Sequence, residues 1–110
     1  MLEALWSVEF VSNMQSFGAG VAVLETGRIF GGDSTYFYVG SYDLVNGMVH
    51  AEVTVTHYAG ERNSIFGPHD KFSIVATGKP ETNVFKMDGH VKENPSMKIA
   101  ARLTRRAELP

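Results

Sequence analysis

The chain has 110 residues, 44% of them hydrophobic, with 10 basic and 12 acidic side chains and a formal charge of −2. That length supports one core rather than two domains of usual size, so a single domain over residues 1–110 is expected, and the near-balance of charge leaves no field for holding nucleic acid or an anionic membrane. The absence of cysteine excludes disulfides, thiolate zinc sites and cysteine nucleophiles.

The first residues, MLEALWSVEF, contain no basic region, long apolar core or small-residue cleavage site, and no apolar run approaches the ~18 residues of a membrane helix. The expectation is a soluble, cytoplasmic protein. Nearly every segment then alternates with period two, which predicts an all-β chain. In Leu5 to Ser12, Trp6, Val8 and Phe10 share one face while Ser7 and Glu9 share the other, the pattern of a strand with one buried side. A small, apolar second strand, about Gly18 to Glu25, ends at the turn Thr26-Gly27, and a short third strand begins at Arg28 to Phe30.

The stretch Gly31-Gly32-Asp33-Ser34-Thr35 precedes Tyr36, Phe37, Tyr38 and Val39, which are strand formers, so the glycines open a strand and not a helix. The Walker lysine and the glycine spacing of a dinucleotide loop are both missing, which argues against a phosphate cradle. Gly31, Gly32 and Asp33 instead predict a structural corner, with the carboxylate accepting from amides that the turn leaves unpaired. Gly40, inside the strand, predicts a bulge or a coil. Strand four runs to about Leu44, where Asn46-Gly47 predicts a hairpin turn. From Met48 to Tyr58, Val49, Ala51, Val53 and Val55 face one way and His50, Glu52, Thr54 and Thr56 the other.

Residues Ala59 to His69 form the long irregular connection, placed to act as a lid or rim and able to hold one short helical turn. Three further strands are expected. Lys71 to Thr77 turns Phe72, Ile74 and Ala76 inward, Val84 to Lys92 turns Phe85, Met87, Gly89 and Val91 inward, and Ser96 to Thr104 turns Met97, Ile99, Ala101 and Leu103 inward. Sequential strands joined by short turns remove their exposed edges by closing. The predicted fold is therefore an up-and-down antiparallel β-barrel of about seven or eight strands, with at most one short helical turn. Its inward set mixes Trp6, Phe10, Phe72 and Phe85 with Ala51, Ala76, Gly89 and Ala101, a mixture that permits a pocket. Trp6, Val8, Phe10, Val53, Val55, Phe72, Ile74, Phe85, Met87, Ile99 and Leu103 are the candidate lining of a ligand site.

Elsewhere the chemistry is sparse. His50 and Glu52 lie two apart on one face, as do Asp88 and His90, but the strand order separates the pairs and both face solvent, so no metal site is expected. Without a nucleophile elbow, clustered acids or a zinc signature, no catalytic residue and no cofactor is expected. Tyr36, Phe37, Tyr38 and Tyr42 make both faces of strand four apolar or aromatic, which predicts a homodimer interface there. Lys98, Arg102, Arg105 and Arg106 read as a frayed, solvated strand end rather than a nucleic-acid surface.

The run WSVEFVSNMQSFGAGVAVLETGRIFGGDSTYFYVG, with its glycine-rich second strand, the Gly27 turn, the Gly31-Gly32-Asp33 corner and the Tyr38-x-Gly40 pair, resembles the GrlR-like family, most specifically over residues 6–40. The regulators that name that family repress type III secretion genes. The resemblance implies a lipocalin-like barrel, usually dimeric, whose best-known members bind a transcriptional activator protein and so keep it from acting on DNA, and an apolar interior open to a lipid-like ligand. The family's type III regulators have an acidic run after the fourth strand, where this chain reads YDLVNG with Asp43 as its one acid. Two alternatives stand beside a partner-binding regulator: a lipocalin-type carrier or sensor of a lipid-like molecule, and a small barrel enzyme.

Overall fold

The computed structural model describes residues 2–110. Eight strands follow one another, β1 (Ala4–Ser12), β2 (Phe17–Glu25), β3 (Arg28–Gly32), β4 (Tyr36–Val45), β5 (Met48–His57), β6 (Lys71–Gly78), β7 (Val84–Val91) and β8 (Asn94–Ala107). Each pairs antiparallel with the next, and β8 returns to pair with β1, so the sheet closes into an up-and-down barrel without a free edge. The 58–70 connection contains a tight Ser64–Gly67 bridge and no helical turn. Among the described residues no helix is long and apolar enough to cross a membrane.

Turns with the expected chemistry make the short connections. Asn46 and Gly47 have φ of 52° and 79°, the paired positive values of the hairpin turn that matches strand twist. The glycines at the third turn serve another purpose. Gly31 and Gly32 belong to β3, paired with Tyr38 and Phe37, and a Cβ on Gly31 would lie 2.2 Å from the Val21 carbonyl oxygen. Gly31 is needed for close strand approach, and residues 33–35 make the corner, held by the Asp33 carboxylate and by the Asp33 amide donating to the Tyr36 carbonyl. Gly40 does not mark a bulge: it sits in unbroken register opposite Val53, while the irregularities fall at Leu5/Trp6 and His90/Val91.

The period-two pattern resolves into an inner and an outer face. At one end of the barrel Trp6, Leu24, Val49, Phe85 and Leu103 pack into a closed apolar plug. Trp6 is fully buried, meets Phe85 edge to face at 5.0 Å and donates from Nε1 to the Leu2 carbonyl at 2.9 Å. The Arg105 guanidinium lies 4.9 Å over its ring, a cation–π contact. At the other end Tyr36, Tyr38, Val55, Ile65, Phe66 and Phe72 form a second cluster, with Ile65 and Phe66 tucked in from the 58–70 connection.

Two expectations are corrected by this arrangement. Tyr36, Tyr38 and Tyr42 are not on a dimer face; they are buried inside the barrel, and of the four aromatics only Phe37 faces outward. The first half of β4 is apolar on both faces, with Phe37 and Val39 outside, and the polar Ser41 and Asp43 of the outer face come only later in the strand. The C-terminal strand is not frayed: β8 pairs with both β1 and β7, Arg102 bonds Glu9 across the closing seam at 2.7 Å, and the Arg105 amide donates to Asn83.

Trp6→Ala is expected to cost about 3–5 kcal/mol in urea unfolding, the range for emptying an aromatic core site. A loss under about 1 kcal/mol would mean that the closed end does not depend on the indole.

Candidate ligand site in the barrel

The inner positions carry side chains too small to fill the barrel. On β2 the inward residues are Gly18, Gly20, Ala22 and Leu24, opposite Phe10, Val8, Trp6 and Ala4 of β1. A Cβ on Gly18 would strike the Phe10 ring, and one on Gly20 would sit 2.7 Å from the Tyr38 hydroxyl, so these glycines give the two rings their room. Ala51, Ala76 and Gly89 lie side by side across β5, β6 and β7. What remains between the two end clusters is a cavity of about 550 Å³, within the range of small-molecule sites.

Val8, Phe10, Val53, Val55, Phe72, Ile74, Phe85, Met87, Ile99 and Leu103 line this cavity as the alternation predicts. Trp6 does not; it lies deeper, in the plug. Side chains that the pattern did not assign also line it, namely Tyr36, Tyr38 and Tyr42 from β4 and Leu24 and Ile29 from β2 and β3. Tyr36, Tyr38 and Tyr42 share one parity, which groups them, but with Phe37 and Val39 on the other parity the spacing does not say which group faces inward.

The mouth is polar and comes from three connections. Ser16 follows β1, Asp33, Ser34 and Thr35 link β3 to β4, and Asn63 and Ser64 belong to the 58–70 segment. That segment is tied down by the buried Ser12 hydroxyl, which donates to the Ile65 carbonyl at 2.8 Å, and by the Tyr36 hydroxyl, which donates to the His69 carbonyl at 2.6 Å.

Asp33 organises the mouth. Its Oδ1 accepts from the Thr35 amide at 2.9 Å, the Tyr36 amide at 2.8 Å and the Thr35 hydroxyl at 3.2 Å, and its Oδ2 accepts from the Tyr38 hydroxyl at 2.5 Å. Burial alone would raise its pKa, but the bonds from Tyr38, Thr35 and Tyr36 outweigh that and hold the carboxyl below its ordinary value. Tyr38 moves the other way: burial, then the adjacent Asp33 charge, keeps its hydroxyl protonated far above the usual tyrosine range. Burial likewise raises Tyr36 and Tyr42. No buried side-chain polar atom among the described residues lacks a partner.

The outer face offers less chemistry. His50, Glu52, Asp88 and His90 flank a shallow groove together with Asp43, and Val75 and Thr77 of β6 stand between the two pairs. No group of three or more potential metal-ligating side chains converges among the described residues. A distinct apolar strip runs over β2, β3 and β4, where Val21, Phe30, Phe37 and Val39 are exposed, with Tyr58 6.1 Å from Phe37.

No family model matches the chain, and no curated protein matches it. Among solved structures it is similar to a redesigned β-barrel, at 12% identity with a TM-score of 0.50, over 96% of this chain and 91% of that one. At that identity the likeness shows the fold, a β-barrel.

Because its folded pKa is depressed, Asp33 contributes stability that is complete above the unfolded value near 3.8 and is lost as pH falls through the lower folded value. Chemical unfolding between neutral pH and about pH 2 should therefore show a steeper acid loss in the parent than in Asp33→Asn. At neutral pH Asp33→Ala should cost about 2–4 kcal/mol, since several donors lose a charged acceptor together. Parallel pH profiles for parent and Asp33→Asn would show that the corner does not rest on the ionised carboxylate.

Proposed function

We propose that this is a cytoplasmic, non-catalytic binding protein that takes a small, lipid-like molecule into its barrel and works as a carrier or sensor. The observation that carries the reading is the cavity of about 550 Å³ with an apolar wall and a polar mouth. Keeping such a space open forfeits packing that larger inward side chains would supply, and an apolar ligand recovers it. The non-catalytic part rests on the lining, where Asp33 is the one charged side chain and no histidine, lysine or cysteine stands beside the serines.

Native mass spectrometry of protein purified without organic solvent should reveal additional mass that solvent extraction removes. Extracted protein should bind the neutral apolar probe N-phenylnaphthylamine, and Ala76→Phe, which fills the space from β6, should weaken that binding by at least about tenfold while costing about 1–3 kcal/mol of stability. Equal probe binding by a folded Ala76→Phe variant would remove the interior as the site.

A second reading, that the barrel is a GrlR-like regulator that binds a transcriptional activator protein, is favoured by the exposed strip of Val21, Phe30, Phe37 and Val39, since aromatic and branched side chains grouped on a sheet face gain from being covered. With Phe37 as the outward member of the β4 aromatics, a homodimer would form on this strip in place of the activator contact. Sedimentation at micromolar concentration should give a dimer mass, and Phe37→Asp combined with Val39→Asp should give a monomer. A monomeric parent would refute the dimer.

A further inference from the structure

The cavity's charge is as uneven as its size is generous. Asp33 is the one charged side chain among the residues lining it, and it sits at the mouth where an amphiphile's head group would rest. Its Oδ1 is saturated by the amides of Thr35 and Tyr36 and the Thr35 hydroxyl, whereas Oδ2 accepts from the Tyr38 hydroxyl alone. A carboxylate oxygen accepts more than one hydrogen bond, so Oδ2 keeps a position for one further donor. The carboxylate is held before any ligand arrives, because the corner fixes it from the backbone and the Tyr58 hydroxyl braces the Asp33 carbonyl at 2.6 Å; little ordering remains to be done on binding.

Neither basic side chain of the 58–70 connection lines the cavity or bonds Asp33. Arg62, on the connection that supplies Asn63 and Ser64, bonds Asp70 at 3.1 Å, and His69 packs edge-on to Phe72 at 5.9 Å. An incoming carboxylate would therefore meet a like charge in a half-buried site whose lining holds no basic side chain, a costly arrangement for two anions. An ammonium would meet a fixed anion and make a charge-assisted hydrogen bond.

Resting on the reading of the cavity as a ligand site, we propose that it selects a cationic amphiphile, an apolar molecule bearing a protonated amine, with the ammonium against Asp33 Oδ2 and the apolar body inside the barrel. Fatty carboxylates are rejected by the same group.

The test compares decylamine, decanol and decanoate by titration calorimetry against solvent-extracted protein, at neutral pH, moderate salt and concentrations below micelle formation. Decylamine should bind at least about tenfold more tightly than decanoate, with decanol between them. Asp33→Asn should erase that order, whereas Asp43→Asn, which makes the same change in net charge on the outer face, should preserve it. Tyr38→Phe frees Oδ2 of its internal donor and should keep or widen the preference, which holds the proposal to account should Asp33→Asn fail to fold. Decanoate binding as tightly as decylamine, or a preference that survives in Asp33→Asn, overturns the selectivity while leaving the ligand site intact. Failure of all three ligands, together with failure of N-phenylnaphthylamine, overturns the ligand site itself.

Discussion

Closure of the sheet is the constraint from which the rest follows. Once β8 has paired with β1, the number of strands sets the bore of the barrel, and the inward side chains can only divide a fixed space. In this chain they divide it unevenly. Trp6, Phe85, Leu24 and Val49 crowd one end, and Tyr36, Phe66 and Phe72 crowd the other. Between them β2 contributes glycine and alanine, and β5 to β7 contribute Ala51, Ala76 and Gly89. A uniformly packed core of this circumference would need larger residues at those positions. The cavity is thus a consequence of where the small side chains fall on a closed sheet.

Asp33 links that interior to the backbone. One oxygen turns the chain from β3 into β4 by accepting two amides, and the other reaches inward to Tyr38. The carboxylate is consequently both a turn residue and a wall residue, and its charge is stabilised by the bonds that make the turn. Any change that neutralises the charge loosens the corner, and any change that loosens the corner disperses the polar mouth. Electrostatics and geometry are coupled there through one side chain.

Much of this was legible as parity. Alternation in β1, β5, β6, β7 and β8 named nearly all the inward residues, because each of those strands has a polar face that breaks the ambiguity. β4 defeated the same reasoning, since Phe37 and Val39 on its outer face are as apolar as Tyr36 and Tyr38 within. Parity also carries no information about depth. Trp6 and Val8 share a face, yet one belongs to the plug and the other to the cavity wall, a distinction set by strand tilt and stagger. The glycines misled in another way. Gly31, Gly32 and Gly40 looked like bends, whereas the strands cross so closely that a Cβ on Gly40 would fall 2.1 Å from the Glu52 carbonyl oxygen. Arg102 and Arg106 are solvated as expected, but the strand that carries them reads as a frayed end because their partners, Glu9 and Ser7, lie on the first strand, and only closure brings the two ends of the chain together.

The reassignment of β4 separates two kinds of aromatic surface. Tyrosines went inside with a hydroxyl partner for two of them at the mouth, Asp33 for Tyr38 and the His69 carbonyl for Tyr36, so burial left no phenol there unsatisfied. Phenylalanine and valine, with no polar atom to satisfy, went outside. Exposing Phe30, Phe37 and Val39 to water gains nothing, and a covering surface would recover the transfer energy of each. This strip reaches the mouth through Phe37 and Tyr58, and Tyr58 holds the Asp33 carbonyl. A partner laid over the strip would therefore press on the residues that brace the carboxylate within, and an outer contact and the cavity mouth would meet at a single turn of the chain.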